Sequence, residues 1–559
     1  MAGTIRNFRR KSFYPGQTPM NPIRKKSDFF PFGRLVVLGA LIVLAVFSGC
    51  RSMPQPKPYE APHDAAAHSG RPYVFYTAGE MAEAIRQGQI SSQELVRIHL
   101  SHIYLHNPKL NAIVILDEQG ALNRASEADK AIERGEIWGP LHGVPITLKD
   151  HFAVRNMRTT NAHPDMSEQL TLFDATVASR LQAAGAVILG KTNMPYVAMD
   201  LQTDNVIFGR TNNPWDLNRT PGGSTGGGAA AVAAGLTPID IGSDMGGSLR
   251  LPAHFTGVYS LKPTENAVSG YGSFPGLLSP DERGVRYMAS IGPVARSVAD
   301  LKLAFEIIAG PDGKDSLVIP VQPLAEDNKP APEALRIAWS NNLGNVPISE
   351  ETRDVFNQAL RELSGAGIHV DRVNPNINFE EAWKTWGEMM DIQVMSNQPG
   401  PFRFFFYWLG WSYRAQTPLL QMVYPLSTQK YIRVLSKRDH FVAGFDRFMS
   451  EWDVFICPVA AIPAIEHYPP DAVRRNLPMY IRPIAVNGHK LNYYTAMSAY
   501  TVPFNLTGHP VVTLPAGFTT DGLPIGLQIV GKRWDDMRLL AIAQIIDDII
   551  NAYQEPEGY

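Results

Sequence analysis

The chain has 559 residues, which is several times the usual domain length and leaves room for one large core or several smaller ones. Hydrophobic residues make up 45% of it and charged residues 19%, a balance that excludes a disordered chain or a coiled coil. Its 51 Lys and Arg residues nearly balance 53 Asp and Glu residues, and no long basic stretch follows the N-terminal region, so nucleic acid is not an expected partner.

Residues 1–50 have the pattern of an export signal. Basic residues and a single acid, Asp28, mark positions 1–34, and an apolar run then extends from Leu35 to Phe47. That run has thirteen residues, whereas a membrane-spanning helix needs roughly 18 or more. Small residues close it, and Ser48-Gly49-Cys50 resembles a lipoprotein cleavage site.

This resemblance implies that Cys50 is lipidated and becomes the first residue of the mature protein, held in a bacterial cell envelope by its lipid. We expect the protein on the periplasmic or extracytoplasmic face of the membrane. Resemblance to the sorting preference of enteric bacteria implies the outer membrane, because Arg51 rather than Asp follows the cysteine. Two alternatives stay open. Phe29–Phe32 could lengthen the apolar run into an uncleaved anchor, and Met20 could be the translation start.

Residues 51–72 are rich in Pro, Ala and His and predict a flexible tether. From Tyr73 onward helical and strand-like patterns alternate, so we expect one α/β domain over residues 73–559. The predicted helices are Ala78–Arg86, Ser92–His106, Ala121–Arg134, Ser297–Ile308, Glu350–Ser364 and Asp536–Asn551. The predicted strands are Ala112–Ile115, Ala186–Leu189, Leu335–Trp339, Val454–Ile456, Val511–Leu514 and Gly526–Val530.

Residues of about 380–440 form a predicted insertion in this domain, because aromatic residues crowd positions 402–413. They line a substrate channel, face lipid or are simply buried in an aromatic-rich helix. The two cysteines, Cys50 and Cys457, lie at opposite ends of the chain, and we expect no disulfide between them. They cannot build a Cys-rich zinc site, and no HExxH spacing occurs, so neither a metal nor another cofactor is predicted.

Three glycine-containing segments, Gly143–Asp150, Gly222–Gly228 and Gly242–Arg250, each place one polar group in small or apolar surroundings. In the first, Lys149 follows an apolar strand-like run, where burial disfavours its charge and makes it a base. In the third, Ser248 follows two glycines, where successive backbone N–H groups can point at a developing oxyanion. In the second, Ser224 could pass a proton between an amine and another hydroxyl group.

Together these segments resemble the amidase signature family, whose Ser-Ser-Lys triad hydrolyses amides on a mixed α/β sheet. Further stretches resemble family landmarks in family order: Asn212–Asp216, Leu261–Thr264, Pro503–Pro510 and Asp521–Gln528. The resemblance covers residues 73–559. It implies an α/β amidase signature fold, with a large mixed β-sheet core covered by helices on both faces.

By position, the resemblance implies that Ser248 is the nucleophile, that Ser224 is the bridging serine after a cis peptide, and that Lys149 is the base. The two serines lie 24 positions apart, as in the family. The resemblance also implies an oxyanion hole, lined by the backbone N–H groups of Met245, Gly246, Gly247 and Ser248.

Asp244 and Arg250 are the expected supports of the Ser248 turn. Three departures from the family pattern bear on substrate range more than on catalysis. Thr225 replaces a second serine and adds a methyl group, Tyr196 stands where an acid is usual, and Tyr259-Ser260 replaces a stretch that is usually Val-Gly.

Two other kinds of site have partial support in the sequence. Gly185–Thr192 matches a bare P-loop pattern, but Ala186–Leu189 is itself strand-like and a proline interrupts the helix that should follow. A Ser-His-Asp hydrolase would use His142, His254 or His509 as its base, although no G-x-S-x-G elbow surrounds the candidate nucleophile.

Two other functions stay open as alternatives to an amidase. One is a glutamine amidotransferase subunit that feeds ammonia to misacylated tRNA, against which the export signal argues. The other is a non-catalytic lipoprotein that binds peptides, against which the joint presence of Lys149, Ser224 and Ser248 argues. We therefore predict an amidase that hydrolyses a small-molecule or peptide amide through a Ser248 acyl-enzyme, with aryl amides, fatty acyl amides and nylon-like oligomers as candidate substrates.

Overall fold

A computed structural model describes residues 71–273, 285–325, 330–395, 404, 423–474 and 477–559. All of them belong to the unit Pro58–Tyr559. Several predictions fall outside these ranges: the signal peptide with Cys50, residues 51–70 of the tether, and the 402–413 aromatic cluster apart from Phe404. That one residue is 54% exposed. At the C-terminal end of the predicted tether, Arg71 forms a 2.9 Å ion pair with Glu555.

An eleven-stranded mixed sheet organises the part of the chain that the structure describes, with strand order β1-β3-β2-β4-β6-β5-β14-β15-β9-β7-β8. Its strands are β1 (Ile113–Leu116), β2 (Pro145–Lys149), β3 (Val187–Thr192), β4 (Ile239–Asp244), β5 (Tyr259–Lys262), β6 (Ser290–Ala295), β7 (Arg336–Trp339), β8 (His369–Arg372), β9 (Val454–Pro458), β14 (Val511–Phe518) and β15 (Pro524–Val530). Two hairpins stand apart, formed by β10 (Ala472–Arg474) with β11 (Leu477–Met479) and by β12 (Ile484–Val486) with β13 (His489–Leu491). Parallel pairs β2–β3, β2–β4, β7–β8 and β7–β9 lie among antiparallel ones.

Thirteen α-helices occur in the described ranges: α1 (Ala78–Arg86), α2 (Ser92–Leu110), α3 (Glu118–Glu133), α4 (Thr176–Ala183), α5 (Gly226–Ala233), α6 (Arg250–Thr256), α7 (Val298–Ile308), α8 (Glu350–Gly365), α9 (Phe379–Met395), α10 (Thr428–Met449), α11 (Tyr493–Ser498), α12 (Val502–Thr507) and α13 (Asp536–Ile550). Local signals set several of their ends. Thr77 and Glu80 form a reciprocal capping box at the start of α1, and the Ser91 side chain caps α2.

Helices cover both faces of the sheet, and β3 shows this most directly. Its Ile188 packs in a core cluster with residues of α1, α4, α7, α8 and α13. Its Val187 and Leu189 pack in another cluster with residues of α2, α3 and α5. Because successive side chains of a strand point to opposite faces, the two clusters lie on opposite sides of the sheet. The predicted α/β fold, with helices on both faces of a large mixed sheet, is confirmed.

The predicted elements are confirmed with small shifts at their ends. The first helix begins and ends where the sequence places it, and the β3 strand continues three residues beyond the predicted Leu189. Within the predicted 380–440 insertion, the structure describes α9 and the first part of α10. Cys457 is a free, buried thiol on β9. In the described part of the chain, no helix combines the length and apolarity needed to cross a membrane.

Candidate active site

The three predicted segments meet at one edge of the sheet. Lys149 is the last residue of β2, and Asp244 is the last residue of β4. These strands pair in parallel, so their carboxyl ends lie at the same edge, where α/β sheets commonly bind ligands. Ser224 lies just before α5, and Ser248 lies in the turn between β4 and α6.

The Lys149 amine lies among three hydroxyl groups. Its Nζ is 2.7 Å from Ser224 Oγ, 3.1 Å from Thr225 Oγ1 and 3.2 Å from Ser243 Oγ. The lysine side chain is fully buried. Burial lowers its pKa to about 7, because the ammonium form loses its hydration, and the charges of Asp240 and Asp244 oppose that shift. A large fraction of Lys149 is therefore a neutral amine near neutral pH.

The two serines differ in how accessible they are. Lys149 is 0% exposed, Ser224 is 1% exposed and Ser248 is 8% exposed. The Gly223–Ser224 peptide is cis, as the family resemblance implied. The Thr225 N–H donates to the Ser248 carbonyl at 3.2 Å, which places the third segment against the second. Accessibility thus increases from the amine, through Ser224, to Ser248.

A buried carboxylate organises the turn that carries Ser248. Asp244 accepts hydrogen bonds from the N–H groups of Gly247 and Leu249 at 2.8 and 3.1 Å. It also pairs with Arg250 at 3.0 Å, with neither side chain exposed. Burial by itself would raise the pKa of Asp244, but the Arg250 charge and the hydrogen bonds from Arg250 and Asn505 outweigh it and hold the pKa well below its usual range. The predicted support by Asp244 and Arg250 is present as a direct contact with the turn.

Arg250 also ties this turn to the C-terminal part of the chain. Its guanidinium donates to the Thr501 carbonyl, to Gln528 Oε1 on β15 and to Asn505 Oδ1 on α12. Asn505 in turn donates to Asp244 Oδ1 at 2.8 Å. One backbone carbonyl and two side chains, all more than 250 residues from Arg250 in sequence, therefore hold the Ser248 turn in place.

The predicted oxyanion hole differs from expectation at one position. The Gly247 N–H donates to Asp244, so in this structure it is already engaged. For the N–H groups of Met245, Gly246 and Ser248, no acceptor is recorded among the described residues. Three of the four predicted donors are thus available to a substrate oxygen.

Thr225 contacts Lys149 directly. Its hydroxyl is the second contact of the Lys149 amine, and its methyl group faces Gly242, where an added Cβ would lie 2.4 Å away. The other two departures from the family pattern, Tyr196 and Tyr259, have contacts with residues other than the three of the triad. Tyr196 packs against His163, with ring centroids 5.2 Å apart, and Tyr259 donates to Asp547 at 2.7 Å.

Asp240 is a buried acid near the lysine that the sequence interpretation missed. Its Oδ1 accepts hydrogen bonds from Thr147 at 2.8 Å and from Thr192 at 3.0 Å, whereas Oδ2 has no partner among the described residues. Burial raises the pKa of Asp240 to about 7, although those hydrogen bonds and the Lys149 charge oppose the rise. An acid between Ile239 and Ile241 in an apolar strand was the available signal.

The histidines of the alternative Ser-His-Asp site are engaged elsewhere. His142 contacts the Ala128 carbonyl and accepts from the Trp138 N–H. His254 contacts the Ile462 carbonyl and accepts from the Gly526 N–H. His509 lies 3.2 Å from Asp446. Since none of these recorded contacts is with Ser248, the geometry favours Lys149 as the base.

The P-loop pattern has no phosphate-binding geometry. Lys191 and Thr192 belong to strand β3, and the buried Lys191 amine donates to the Phe152 carbonyl and to Thr159 Oγ1. Within the described ranges, no group of three or more His, Cys, Asp or Glu side chains could hold a metal ion.

Known proteins resemble this chain over most of its length. A family model described as Amidase matches residues 94–540. An acylamidase of Rhodococcus erythropolis is 32% identical over 484 residues, which cover 84% of this chain and 94% of the relative. A glutamyl-tRNA(Gln) amidotransferase subunit of Acidothermus cellulolyticus is 34% identical over 515 residues, which cover 86% of this chain and 95% of the relative.

The fold has a solved counterpart. The crystal structure of a bacterial aryl acylamidase of the amidase signature enzymes matches with a TM-score of 0.72 and 26% identity, covering 87% of this chain and 99% of that one. These likenesses extend over the sheet and its helices, and the range matched by the family model includes Lys149, Ser224 and Ser248.

Proposed function

The chain belongs to the amidase signature family and is an amide hydrolase, and from this premise we propose that Ser248 is its nucleophile, Ser224 its proton relay and Lys149 its base. The observation that carries the proposal is the 2.7 Å contact between the fully buried Lys149 amine and Ser224 Oγ. A buried lysine with a pKa near 7 has a lone pair available to accept a proton at neutral pH.

Acylation begins when Ser248 Oγ attacks the amide carbonyl carbon. Ser224 takes the Ser248 proton and gives its own proton to the neutral Lys149 amine, while the carbonyl π electrons move to the oxygen. The tetrahedral intermediate then collapses, and the C–N bond breaks. The leaving nitrogen receives a proton from Ser224, which regains one from the Lys149 ammonium.

Deacylation runs the same relay with water as the nucleophile. Water attacks the Ser248 ester, and its proton passes through Ser224 to Lys149. When the acyl C–O bond breaks, Ser248 regains a proton and the carboxylic acid leaves. The N–H groups of Met245, Gly246 and Ser248 stabilise the oxyanion in both steps, because donors held in place beforehand need no reorganisation as the charge develops.

Replacement of Ser248 by Ala tests the assignment. In the purified protein, Ser248→Ala should abolish amide hydrolysis and should remove the covalent adduct that a fluorophosphonate forms on the wild-type nucleophile, as read by mass spectrometry. The control is Ser436→Ala, because Ser436 donates to the Ile432 carbonyl on the exposed side of α10, away from the site. Full hydrolysis by Ser248→Ala would end the proposal.

The substrates that we propose are aryl and acyl amides. Two of the similar proteins are named acylamidase and aryl acylamidase, and Trp386 borders the Ser248 turn with an apolar ring. A panel of para-nitroacetanilide, longer acyl anilides, a fatty acyl amide, a peptide amide and an oligomer of 6-aminohexanoate would order these classes. We expect an anilide to have the highest kcat/KM.

A second candidate rests on a specific observation, the 34% identity with a glutamyl-tRNA(Gln) amidotransferase subunit. In that case glutamine would be the preferred amide, and free ammonia the product passed to a partner. Glutamine in the same panel separates the two functions. Glutamine hydrolysis faster than anilide hydrolysis would favour the amidotransferase assignment.

We also propose that the chain is exported and anchored by a lipid on Cys50, facing away from the cytoplasm, with the outer membrane as the favoured location. The support is the basic segment, the short apolar run and the small residues before Cys50. An anchored amidase would meet its substrates at the membrane surface, which suits amides with apolar acyl or aryl groups.

A further inference from the structure

The turn that carries Ser248 has hydrogen-bond donors on the carbonyl side of its peptides. The N–H groups of Met245, Gly246 and Ser248 each share a peptide with the carbonyl of the preceding residue, and each of these carbonyls accepts a hydrogen bond. The Asp244 carbonyl accepts from Asn505 Nδ2 at 3.3 Å, and the Met245 carbonyl accepts from Trp386 Nε1 at 2.9 Å. The Gly247 carbonyl accepts from the Leu251 N–H at 2.8 Å. The C=O and N–H groups of a trans peptide point in opposite directions. A donor that holds the carbonyl therefore also fixes the direction of the N–H on the other side.

The Met245–Gly246 peptide depends on a donor from outside the turn. Trp386 lies on α9, 141 residues from Met245, and its indole N–H is the donor to the Met245 carbonyl. The same ring covers Gly246, where an added Cβ would lie 3.0 Å from its Cζ2 atom. Asn505 and Leu251, in contrast, belong to the Asp244 network and to the first turn of α6.

The sequence of the turn makes such a donor necessary. Gly246 and the adjacent Gly247, which has a φ of +115°, have no side chains to restrict the backbone. The Gly246–Gly247 peptide is held on both sides, by Thr501 Oγ1 at its carbonyl and by Asp244 at its N–H. In the Met245–Gly246 peptide, the Met245 carbonyl accepts a hydrogen bond from Trp386, whereas the Gly246 N–H has no acceptor among the described residues.

We propose that Trp386 is a positioning residue of the reaction, and that its indole N–H orients the Met245–Gly246 peptide so that the Gly246 N–H faces the substrate oxyanion. The inference rests on the proposed function, since it requires Ser248 to add to a carbonyl at this turn. Without the indole N–H, the peptide is free to rotate and the transition state loses one donor. Substrate binding before the chemical step is unaffected.

A pair of variants on the same helix tests this role. Trp386→Phe keeps an aromatic ring but removes the N–H, and Trp383→Phe is the matched control, because Trp383 Nε1 donates at 3.0 Å to the Ala499 carbonyl instead. The probes are para-nitroacetanilide as substrate and an aryl-alkyl trifluoromethyl ketone, which forms a hemiketal oxyanion on the nucleophile. Both variants are compared with the wild type in kcat, KM and the Ki of the ketone.

Direct loss of an oxyanion donor typically lowers kcat by about 100- to 1000-fold, and loss of its support should cost less, about tenfold. We expect Trp386→Phe to lower kcat about tenfold, to raise the Ki of the ketone by a similar factor and to leave KM within about twofold. Trp383→Phe should stay within about twofold of the wild type in all three quantities. Equal behaviour of the two variants would overturn the proposal.

The design separates this inference from the proposed function. If the ketone inhibits the wild type without a bond to Ser248, the proposed nucleophile is wrong and the positioning role falls with it. Should Trp386→Phe fail to fold, Gly246→Ala provides the second variant, since its methyl group would lie 3.0 Å from the indole Cζ2 atom and push the ring away from the turn by a few tenths of an ångström. Unchanged kcat and Ki in Gly246→Ala would also overturn the proposal.

Discussion

At the scale of single residues, the chemistry of the site depends on the protonation state of one amine. A neutral amine has two N–H donors and one lone pair, and Lys149 Nζ has three hydroxyl neighbours. Two hydroxyl groups can therefore accept from it, while the third donates into its lone pair. The shortest contact, with Ser224, is the one along which the proposed relay moves its proton.

The pH dependence of hydrolysis should follow the Lys149 amine. Its pKa is lowered from 10.5 to about 7, so the active neutral form is gained as the pH rises through 7 and is lost as the pH falls. We expect kcat/KM to rise about tenfold per pH unit below 7 and to level off above it. A pH–rate profile measured between pH 5 and pH 9 checks this. Activity that peaks in acid and declines above neutrality would exclude Lys149 as the base.

Asp240 should shift the pH at which kcat/KM rises. Its negative charge favours the ammonium form of Lys149, so Asp240→Asn should move the rising part of the profile to lower pH, by about one unit. The amide oxygen can still accept from Thr147 and Thr192, but the new NH₂ group lacks a partner and should cost about 1–3 kcal/mol of stability. The control is Asp547→Asn, because Asp547 accepts from Tyr259 on β5. A profile that moves to higher pH in Asp240→Asn, or equally in both variants, would refute the coupling.

At the scale of elements, the turn between β4 and α6 is held by the ion pair of Asp244 and Arg250. Arg250→Met should lower the free energy of unfolding by about 3–5 kcal/mol, because it leaves the Asp244 carboxylate buried without its cation. Hydrolysis should also be lost, since Asp244 anchors the Gly247 and Leu249 N–H groups on either side of Ser248. Urea unfolding and the anilide assay measure the two effects.

The matched control for that variant is Arg86→Met on α1. Arg86 pairs with Glu83 at 2.8 Å on the surface, where water screens the two charges, so Arg86→Met should keep nearly the wild-type stability. If Arg250→Met unfolds at the same urea concentration as Arg86→Met, the Asp244 network does not stabilise the turn as argued.

The elements themselves follow from local sequence to a large extent. The α1 helix is predicted at its observed bounds because its apolar period is local, and in the structure a capping box at Thr77 and Glu80 starts the helix at the same residue. Lys149, Ser224 and Ser248 are predicted because each lies in a short segment whose residue types suit one role. Asp240 and Trp386 are missed because their roles depend on partners brought together by the sheet and by α9. Trp386 and Met245 lie 141 residues apart, and no local pattern connects them.

At the scale of the whole molecule, the site joins segments that are far apart in the described chain. Arg250 joins the Ser248 turn to Thr501, Asn505 and Gln528, so the sheet must be complete through β15 before the turn is held. The eleven-stranded order places β14 and β15 between β5 and β9, with no division of the sheet into separate halves. The described residues that build the site therefore share one continuous sheet within the unit Pro58–Tyr559.

The proposed location of the protein rests on lipidation of Cys50, and the two cysteines allow a direct test of this proposal. In growing cells the wild type should incorporate labelled palmitate, and the mass of its mature N-terminal peptide should correspond to a lipidated Cys50, because lipoprotein processing modifies the cysteine that closes the apolar run. Cys50→Ala should lose the label. Cys457→Ser should keep it, because Cys457 is a buried thiol on β9. A label that persists in Cys50→Ala would refute the anchor, and an unlabelled wild type that keeps residues 1–49 would instead favour the uncleaved anchor.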